Sequence, residues 1–188
     1  MTPLCLATNR LSVPLLNLLF AFYSFSSSFK LNHINRSFAI DIVVAGGGQR
    51  EGNYGSLDSC EMFDVETQVW QKLPNMTKKR TYYPGIIAVE YGSCHRVFVF
   101  GGYDDKGLDC CEYFDVGGEE SEWTLVDAKM KTARYHAAAA LLDLNTVIVC
   151  GGFNSGELAS CEPFDLITYT FSSFPDMLEP RRTHAAVH

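Results

Sequence analysis

An all-β fold built from repeated four-stranded units is what this sequence predicts, and three observations predict it. One short passage recurs three times. Leu57-Asp58-Ser59-Cys60-Glu61-Met62-Phe63-Asp64 aligns with Leu108-Asp109-Cys110-Cys111-Glu112-Tyr113-Phe114-Asp115 and with Leu158-Ala159-Ser160-Cys161-Glu162-Pro163-Phe164-Asp165, at offsets of 51 and 50 residues. A short apolar run ending in Gly-Gly precedes each copy: Val43 to Gly46-Gly47, Val97 to Gly101-Gly102, and Val147 to Gly151-Gly152. Length differences fall between these landmarks, at Gly52-Asn53-Tyr54-Gly55 in the first copy and Gly117-Gly118-Glu119-Glu120 in the second. Insertions confined to loops are expected of stacked repeat units.

Each element has a physical reason. The runs before Gly-Gly are too short for a helix and rich in β-branched and aromatic residues, which predicts strands buried on both faces. The glycines permit positive φ and close backbone approach. The Cys-Glu-aromatic-Asp passage alternates like a half-buried strand. Asp64, Asp115 and Asp165 then open turns, where a short carboxylate can bind nearby N–H groups. Trp70 and Trp123, with Phe171 in the third copy, supply apolar wedges in the next strand. Met76, Met130 and Met177 follow, then Arg80, Arg134 and Arg182, with Arg181 an alternative match in a third copy one residue longer. Glu61, Glu112 and Glu162 recur with nearly the same period as these arginines and are expected to pair with them as framework. A residue needed once at a catalytic site would not be copied into every unit.

This order of landmarks resembles the kelch-repeat family over roughly residues 41–188. The resemblance implies a partial kelch-type β-propeller of about three four-stranded blades, in units of about 41–95, 96–144 and an incomplete 145–188. Propellers typically use about four to eight blades, so three leave two open edges. A fragment of a longer protein is the simplest expectation, and a dimer assembling about six blades the alternative. Within the family the style is closest to the kelch-like group, in which a BTB domain and a BACK domain precede the propeller; neither is written in this sequence. That resemblance implies a non-catalytic module that captures a partner protein through its loops, as substrate adaptor of a cullin ubiquitin ligase in a longer parent. Secreted or actin-associated kelch scaffolds are the alternatives. The contacts it nominates are Gln49, Arg50 and Tyr82, then Tyr103, Asp105 and Tyr135, then Phe153, Asn154 and Thr183. The partner itself is not specified.

Residues 1–40 stand outside the pattern. Arg10 precedes an apolar stretch, Leu11–Tyr23, and serines follow, as in the first regions of a signal peptide. Pro14 and Asn17 interrupt it, and it is too short for a spanning helix. The other reading is an irregular leader or gene-model artefact. The seven cysteines show no metal-site spacing, and Cys60, Cys111 and Cys161 are repeat-equivalent packers. Weak support for disulfides favours a reducing, cytoplasmic compartment. A working signal in residues 1–28 would instead make the chain secreted and the triplets Asn35-Arg36-Ser37 and Asn75-Met76-Thr77 glycan acceptors.

A net charge of −7 argues against general nucleic-acid affinity. No P-loop, H-E-x-x-H, G-x-S-x-G or C-x-x-C occurs. His136 and His184 are repeat-equivalent, which argues against a lone catalytic or metal centre. No cofactor, metal or membrane contact is therefore expected, and a fragment of a galactose-oxidase-like copper enzyme is the weakest alternative.

Overall fold

The computed structural model describes residues 41–49, 55–91, 94–117 and 122–188. The leader over 1–40 and Arg50 lie outside the described residues. The first repeat contributes β1 (Ile42–Ala45), β2 (Gly48–Gln49), β3 (Gly55–Ser56), β4 (Cys60–Asp64) and β5 (Val69–Leu73). Next come β6 (Gly85–Tyr91), β7 (Cys94–Phe100), β8 (Tyr103–Asp104), β9 (Lys106–Gly107), β10 (Cys110–Val116) and β11 (Thr124–Lys129). The last are β12 (Ala138–Asp143), β13 (Thr146–Cys150), β14 (Cys161–Asp165) and β15 (Thr170–Phe171). No helix occurs among the described residues.

Three antiparallel sheets result, in the orders β1-β4-β5, β11-β10-β7-β6 and β12-β13-β14-β15. The small hairpins β2–β3 and β8–β9 project from the first two beyond their Gly-Gly. The second and third sheets are offset by one strand from the sequence units. Gly85–Tyr91 follows the first unit's arginine yet bonds β7 of the second, and Ala138–Asp143 bonds β13 of the third. A strand handed forward in this way ties each repeat covalently to its neighbour.

The core lies between sheets. Val43, Cys60 and Met76 of the first repeat pack with Val97, Val99, Phe114, Val116 and Trp123 of the second. Phe98, Phe100, Cys111 and Met130 of the second pack with Val147, Val149, Phe164 and Leu166 of the third. The second and third runs before Gly-Gly are buried on both faces, with Val97, Phe98, Val99 and Phe100 all at or below 4% exposure, whereas in the first run Val44 is 47% exposed. The Cys-Glu-aromatic-Asp strands do not alternate, however. Cys161, Glu162, Pro163 and Phe164 of β14 are buried in succession, because the second sheet covers one side of it and the segment carrying Met177 and Ala186 the other.

Trp123 is buried and donates its indole N–H to the Pro74 carbonyl of the preceding repeat at 3.1 Å. Phe171 packs on Phe164 of its own sheet and on Phe100 across the next interface. Trp70, the expected wedge of the first unit, is instead 50% exposed. Its equivalents face the sheet before them, and among the described residues no sheet precedes β1-β4-β5.

Two of the three turn aspartates act as expected. Asp64 accepts from Thr67 N, and Asp165 accepts from Ile167 N and Thr168 N, which holds the Asp165 carboxyl below its usual range. Asp115 departs from this. It takes two bonds from Arg96, at 2.6 and 2.7 Å, and the guanidinium lies between the rings of Tyr91 and Tyr113. Arg96 also donates to the Tyr169 hydroxyl of the next sheet. This second cross-sheet tie stands at the end of the sheets away from Gly-Gly.

Candidate functional site

The Gly-Gly ends of the sheets are laced by a backbone pattern that repeats bond for bond. Gly47, Gly102 and Gly152 donate their N–H groups to the carbonyls of Arg80, Arg134 and Arg181 at 2.8, 2.9 and 2.8 Å. The same arginines donate backbone N–H to Leu57, Leu108 and Leu158. The glycines before them, Gly46, Gly101 and Gly151, have φ of 68°, 64° and 58°, and a Cβ there would press on those arginine carbonyls.

The lacing fixes the register of the third repeat. Arg181, not Arg182, occupies the framework position, because its carbonyl and N–H make the bonds that Arg80 and Arg134 make. Arg182 lies one step further on, half-exposed, over the Phe153 ring at 4.9 Å and 3.4 Å from Glu157. The sequence alignment slipped by one residue at an Arg-Arg pair, where residue type cannot distinguish the two.

The Arg–Glu pairs cross between repeats. The Arg80 Nε–H donates to Glu112 at 2.8 Å, and both side chains are fully buried. Arg134 donates to Glu162 at 2.5 Å with 0% and 7% side-chain exposure. Each arginine also bonds carbonyls of the next repeat: Gly101 and Cys110 for Arg80, Gly151 and Ser160 for Arg134. The other carboxylate oxygen takes N–H groups after the preceding methionine, from Thr77 to Glu112 and from Lys131 to Glu162. Glu61 is exposed and makes no such bond among the described residues. Apart from the Thr132 carbonyl, which accepts from Arg134 Nε at 3.3 Å, the side-chain partners of these buried charges come from the adjacent blade, so the pairs hold blades to one another rather than strands within one blade.

Just past each arginine the chain bends through a left-handed residue: Tyr82 (φ 55°), His136 (φ 56°) and Thr183 (φ 54°). Non-glycine residues seldom adopt this conformation, and a β-branched one is rarer still. They are joined in series, His136 N–H to the Tyr82 carbonyl at 2.7 Å and Thr183 N–H to the His136 carbonyl at 2.9 Å. Thr81 exchanges backbone bonds with Tyr103, and Tyr135 does so with Phe153. Residues from three repeats thereby meet at one end of the molecule.

Their side chains form a continuous aromatic surface. The Tyr82 ring contacts Tyr103, Tyr135 and His136 at centroid distances of 5.2, 5.9 and 5.7 Å. Tyr103 meets Tyr135 at 5.2 Å, Tyr135 meets Phe153 at 5.5 Å, and Tyr83 meets His136 at 5.3 Å. Tyr82 and Tyr83 are 43% and 67% exposed; the other four rings are half-buried. Burial, helped by the Arg182 charge, holds the His136 imidazole below its usual range.

Of the nominated contact residues, Tyr82, Tyr103, Tyr135, Phe153 and Thr183 are therefore brought together. Asp105 and Asn154 sit exposed at the tips of the loops after Gly-Gly, and Gln49 lies in β2. Tyr83 and His136 join the surface without having been nominated. The third-repeat register through Arg181 was the signal for His136, since it aligns Tyr82, His136 and Thr183. No group of three or more His, Cys, Asp or Glu side chains among the described residues is arranged to hold a metal ion.

Side-by-side antiparallel blades with a shared inter-blade core and one end composed of repeat-to-repeat loops define a β-propeller scaffold. Comparison with known proteins agrees. The Kelch motif family matches residues 41–77. The chain is similar to Kelch-like protein 41a of Danio rerio, 28% identical over 145 residues, 75% of this chain and 22% of that protein. It is similar to a RING finger domain and kelch repeat-containing protein of Dictyostelium discoideum, 26% identical over 132 residues, 68% of this chain and 12% of that protein. An F-box/kelch-repeat protein of Arabidopsis thaliana is 34% identical over 92 residues, 46% of this chain and 19% of that protein. The chain thus carries a match to the Kelch motif and is similar to kelch-repeat proteins, and it spans less than a quarter of the length of these relatives.

Proposed function

We propose that this chain is a non-catalytic protein-binding module whose partner docks on the aromatic end formed by Tyr82, Tyr83, Tyr103, Tyr135, His136 and Phe153. One observation carries the reading: exposed aromatic side chains from successive repeats meet on a face held in place by backbone bonds between blades. Tyrosine suits such a surface, since it offers large contact area and a polar tip at low entropic cost. Loops on a rigid frame are where recognition residues concentrate.

In a longer parent protein, this face would be the substrate-capturing part of a ubiquitin-ligase adaptor. The names of two relatives, which join kelch repeats to a RING finger or an F-box, support that reading. A cytoplasmic location fits the buried, unbridged thiols of Cys60, Cys110, Cys111 and Cys161.

The test is photo-crosslinking from position 83, compared with position 167 at the opposite end, followed by titration of the purified partner. Tyr82→Ala and Tyr83→Ala should each weaken binding by about 10-fold or more, the ~1.4 kcal/mol or larger expected of anchoring aromatics. Equal crosslinking from both ends, or binding that survives both substitutions, refutes the assignment.

A further inference from the structure

We infer that Cys150 and Cys161 are a disulfide site, left as two thiols when the chain folds under reducing conditions and closed into one bond when it folds beside an oxidised small-molecule disulfide. The inference is independent of the aromatic face.

It starts from register. In each repeat the residue just before Gly-Gly lies directly opposite the recurrent cysteine: Ala45 opposite Cys60, Phe100 opposite Cys111, and Cys150 opposite Cys161. Of the three copies, the third alone puts sulfur on both sides.

The type of pair matters as much as the register. The Gly151 N–H donates to the Ser160 carbonyl at 3.0 Å. In an antiparallel ladder such a bond joins the residues flanking a pair that is not itself hydrogen-bonded. Pairs of that type hold their Cα atoms about 4.5 Å apart with the side chains at their closest, inside the range of about 4.4–6.8 Å that disulfides span. Directly opposite residues also project to one face of the sheet. Closing the bond therefore calls for side-chain rotation rather than a shift of strands.

Packing keeps the pair to itself. Cys161 is buried with Ala140 and Ile148, and Cys150 packs on that cluster with Met177 and Ala186. Cys60 and Cys111 belong to two other clusters, and Cys110 accepts from Arg80 Nη2 at 3.3 Å. Burial first, then a side-chain bond with Cys161, push the Cys150 thiol up to about 12. A thiol so firmly protonated exchanges slowly, so the folded pair keeps the state it had on folding.

Glutathione disulfide is an oxidant of the required class. While the chain is still open, the Cys150 thiolate attacks one of its sulfurs. The glutathione S–S bond breaks, a mixed disulfide forms, and one glutathione leaves and takes up a proton. The Cys161 thiolate then attacks the Cys150 sulfur and expels the second glutathione. Two protein thiols are oxidised, and one small disulfide is reduced to two thiols. The new bond closes residues 150–161 into a ring, across the loop that carries Phe153 and Asn154.

The full chain, reduced and unfolded in urea, tests this when refolded either in mixed reduced and oxidised glutathione or in reduced glutathione alone. Trypsin releases residues 135–181, which hold no other cysteine and no internal Lys or Arg. From the mixed buffer this peptide should be lighter by two hydrogens and carry no glutathione, and cleavage after Glu157 should leave its halves joined until they are reduced. The oxidised protein should unfold with an equilibrium constant about 100-fold lower than the reduced protein. Cys150→Ala, which installs the residue found at position 45, should fold and erase both the bond and that difference. Two free thiols after refolding in the mixed buffer, glutathione retained on either cysteine, a bond from Cys161 to any other cysteine, or an oxidised form no more stable than the reduced one would each overturn the inference.

Discussion

Replacing Glu112 by Gln isolates the contribution of one inter-blade ion pair. The carboxylate accepts from Arg80 Nε at 2.8 Å on one oxygen, and from Thr77 N and Thr77 Oγ1 at 2.7 and 2.8 Å on the other. An amide has a single acceptor oxygen. Whichever way it turns, its NH2 faces either the Arg80 N–H or the Thr77 N–H. One charge-assisted bond is lost, about 1.5–3 kcal/mol, and a guanidinium at 0% exposure loses its counter-charge. Breaking a buried pair by removing one partner costs about 3–5 kcal/mol. The lower end applies here, because Arg80 keeps the Gly101 and Cys110 carbonyls. A loss of about 3 kcal/mol is a large share of the ~5–15 kcal/mol typical of a folded protein. Urea unfolding at one fixed protein concentration, followed by circular dichroism and tryptophan fluorescence, reads it out. Glu157→Gln is the matched control. Its pair with Arg182 is half-exposed and 3.4 Å long, a type worth about 0–1 kcal/mol. If Glu112→Gln costs no more than Glu157→Gln, the buried pair is not what joins the second blade to the first.

Three further outcomes follow from the same geometry. Gly101→Ala should cost about 2 kcal/mol or more in thermal unfolding, because φ is +64° and the new methyl meets the Arg134 carbonyl, while Gly156→Ala, in open space, should be near neutral. Burial, with the Arg182 and Arg181 charges, depresses the imidazoles of His136 and His184 respectively. The unfolded chain then binds more protons below about pH 6.5. Their contribution is thus complete above that pH and lost as pH falls through the folded values. His136→Gln should flatten the decline measured between pH 7.5 and 5, and a wild type that grows more stable on acidification would contradict it. Burial also raises the thiol of Cys60 to about 11 and those of Cys111 and Cys150 to about 12. Iodoacetamide at pH 7.5 should leave these three unmodified in the native protein and label them in urea, as peptide mapping would show.

The fold was legible in the sequence because its determinants are local and copied. Gly-Gly, the apolar run before it and the aromatic-Asp turn each act within a few residues, and three copies made them visible against loop variation. What escaped was what one copy does to the next. Glu112 could be expected to pair with an arginine, yet period alone does not say whether the partner lies in its own unit or the preceding one. Trp70 and Trp123 carry the same motif position and opposite burial, since burial depends on a neighbouring blade and not on the residue. The Arg181–Arg182 ambiguity displaced the third-repeat framework by one residue, and with it the equivalence of Tyr82, His136 and Thr183. Asp115 looked like its two turn-forming equivalents, but Arg96, present only in the second repeat, claims its carboxylate.

Interaction face and framework are one mechanical system. Arg80 spans the boundary: its guanidinium is locked into the second blade by Glu112, its carbonyl holds Gly47, and its next two residues are Thr81 and Tyr82. Thr81 bonds the loop carrying Tyr103, and Tyr82 accepts from His136. A disturbance at Glu112 therefore reaches the aromatic end along three residues of backbone, without touching any ring. Glu112→Gln should weaken partner binding as well as stability, and Glu162→Gln should act likewise through Arg134, Tyr135 and His136. Glu157→Gln touches only the rim and should weaken neither. Because coupling of this kind passes through a shared two-sided contact, Glu112→Gln and Tyr82→Ala should combine non-additively in a double-mutant cycle on affinity. Strict additivity would mean that the rings keep their places when the blades beneath them loosen, and that the face is built by its own packing alone.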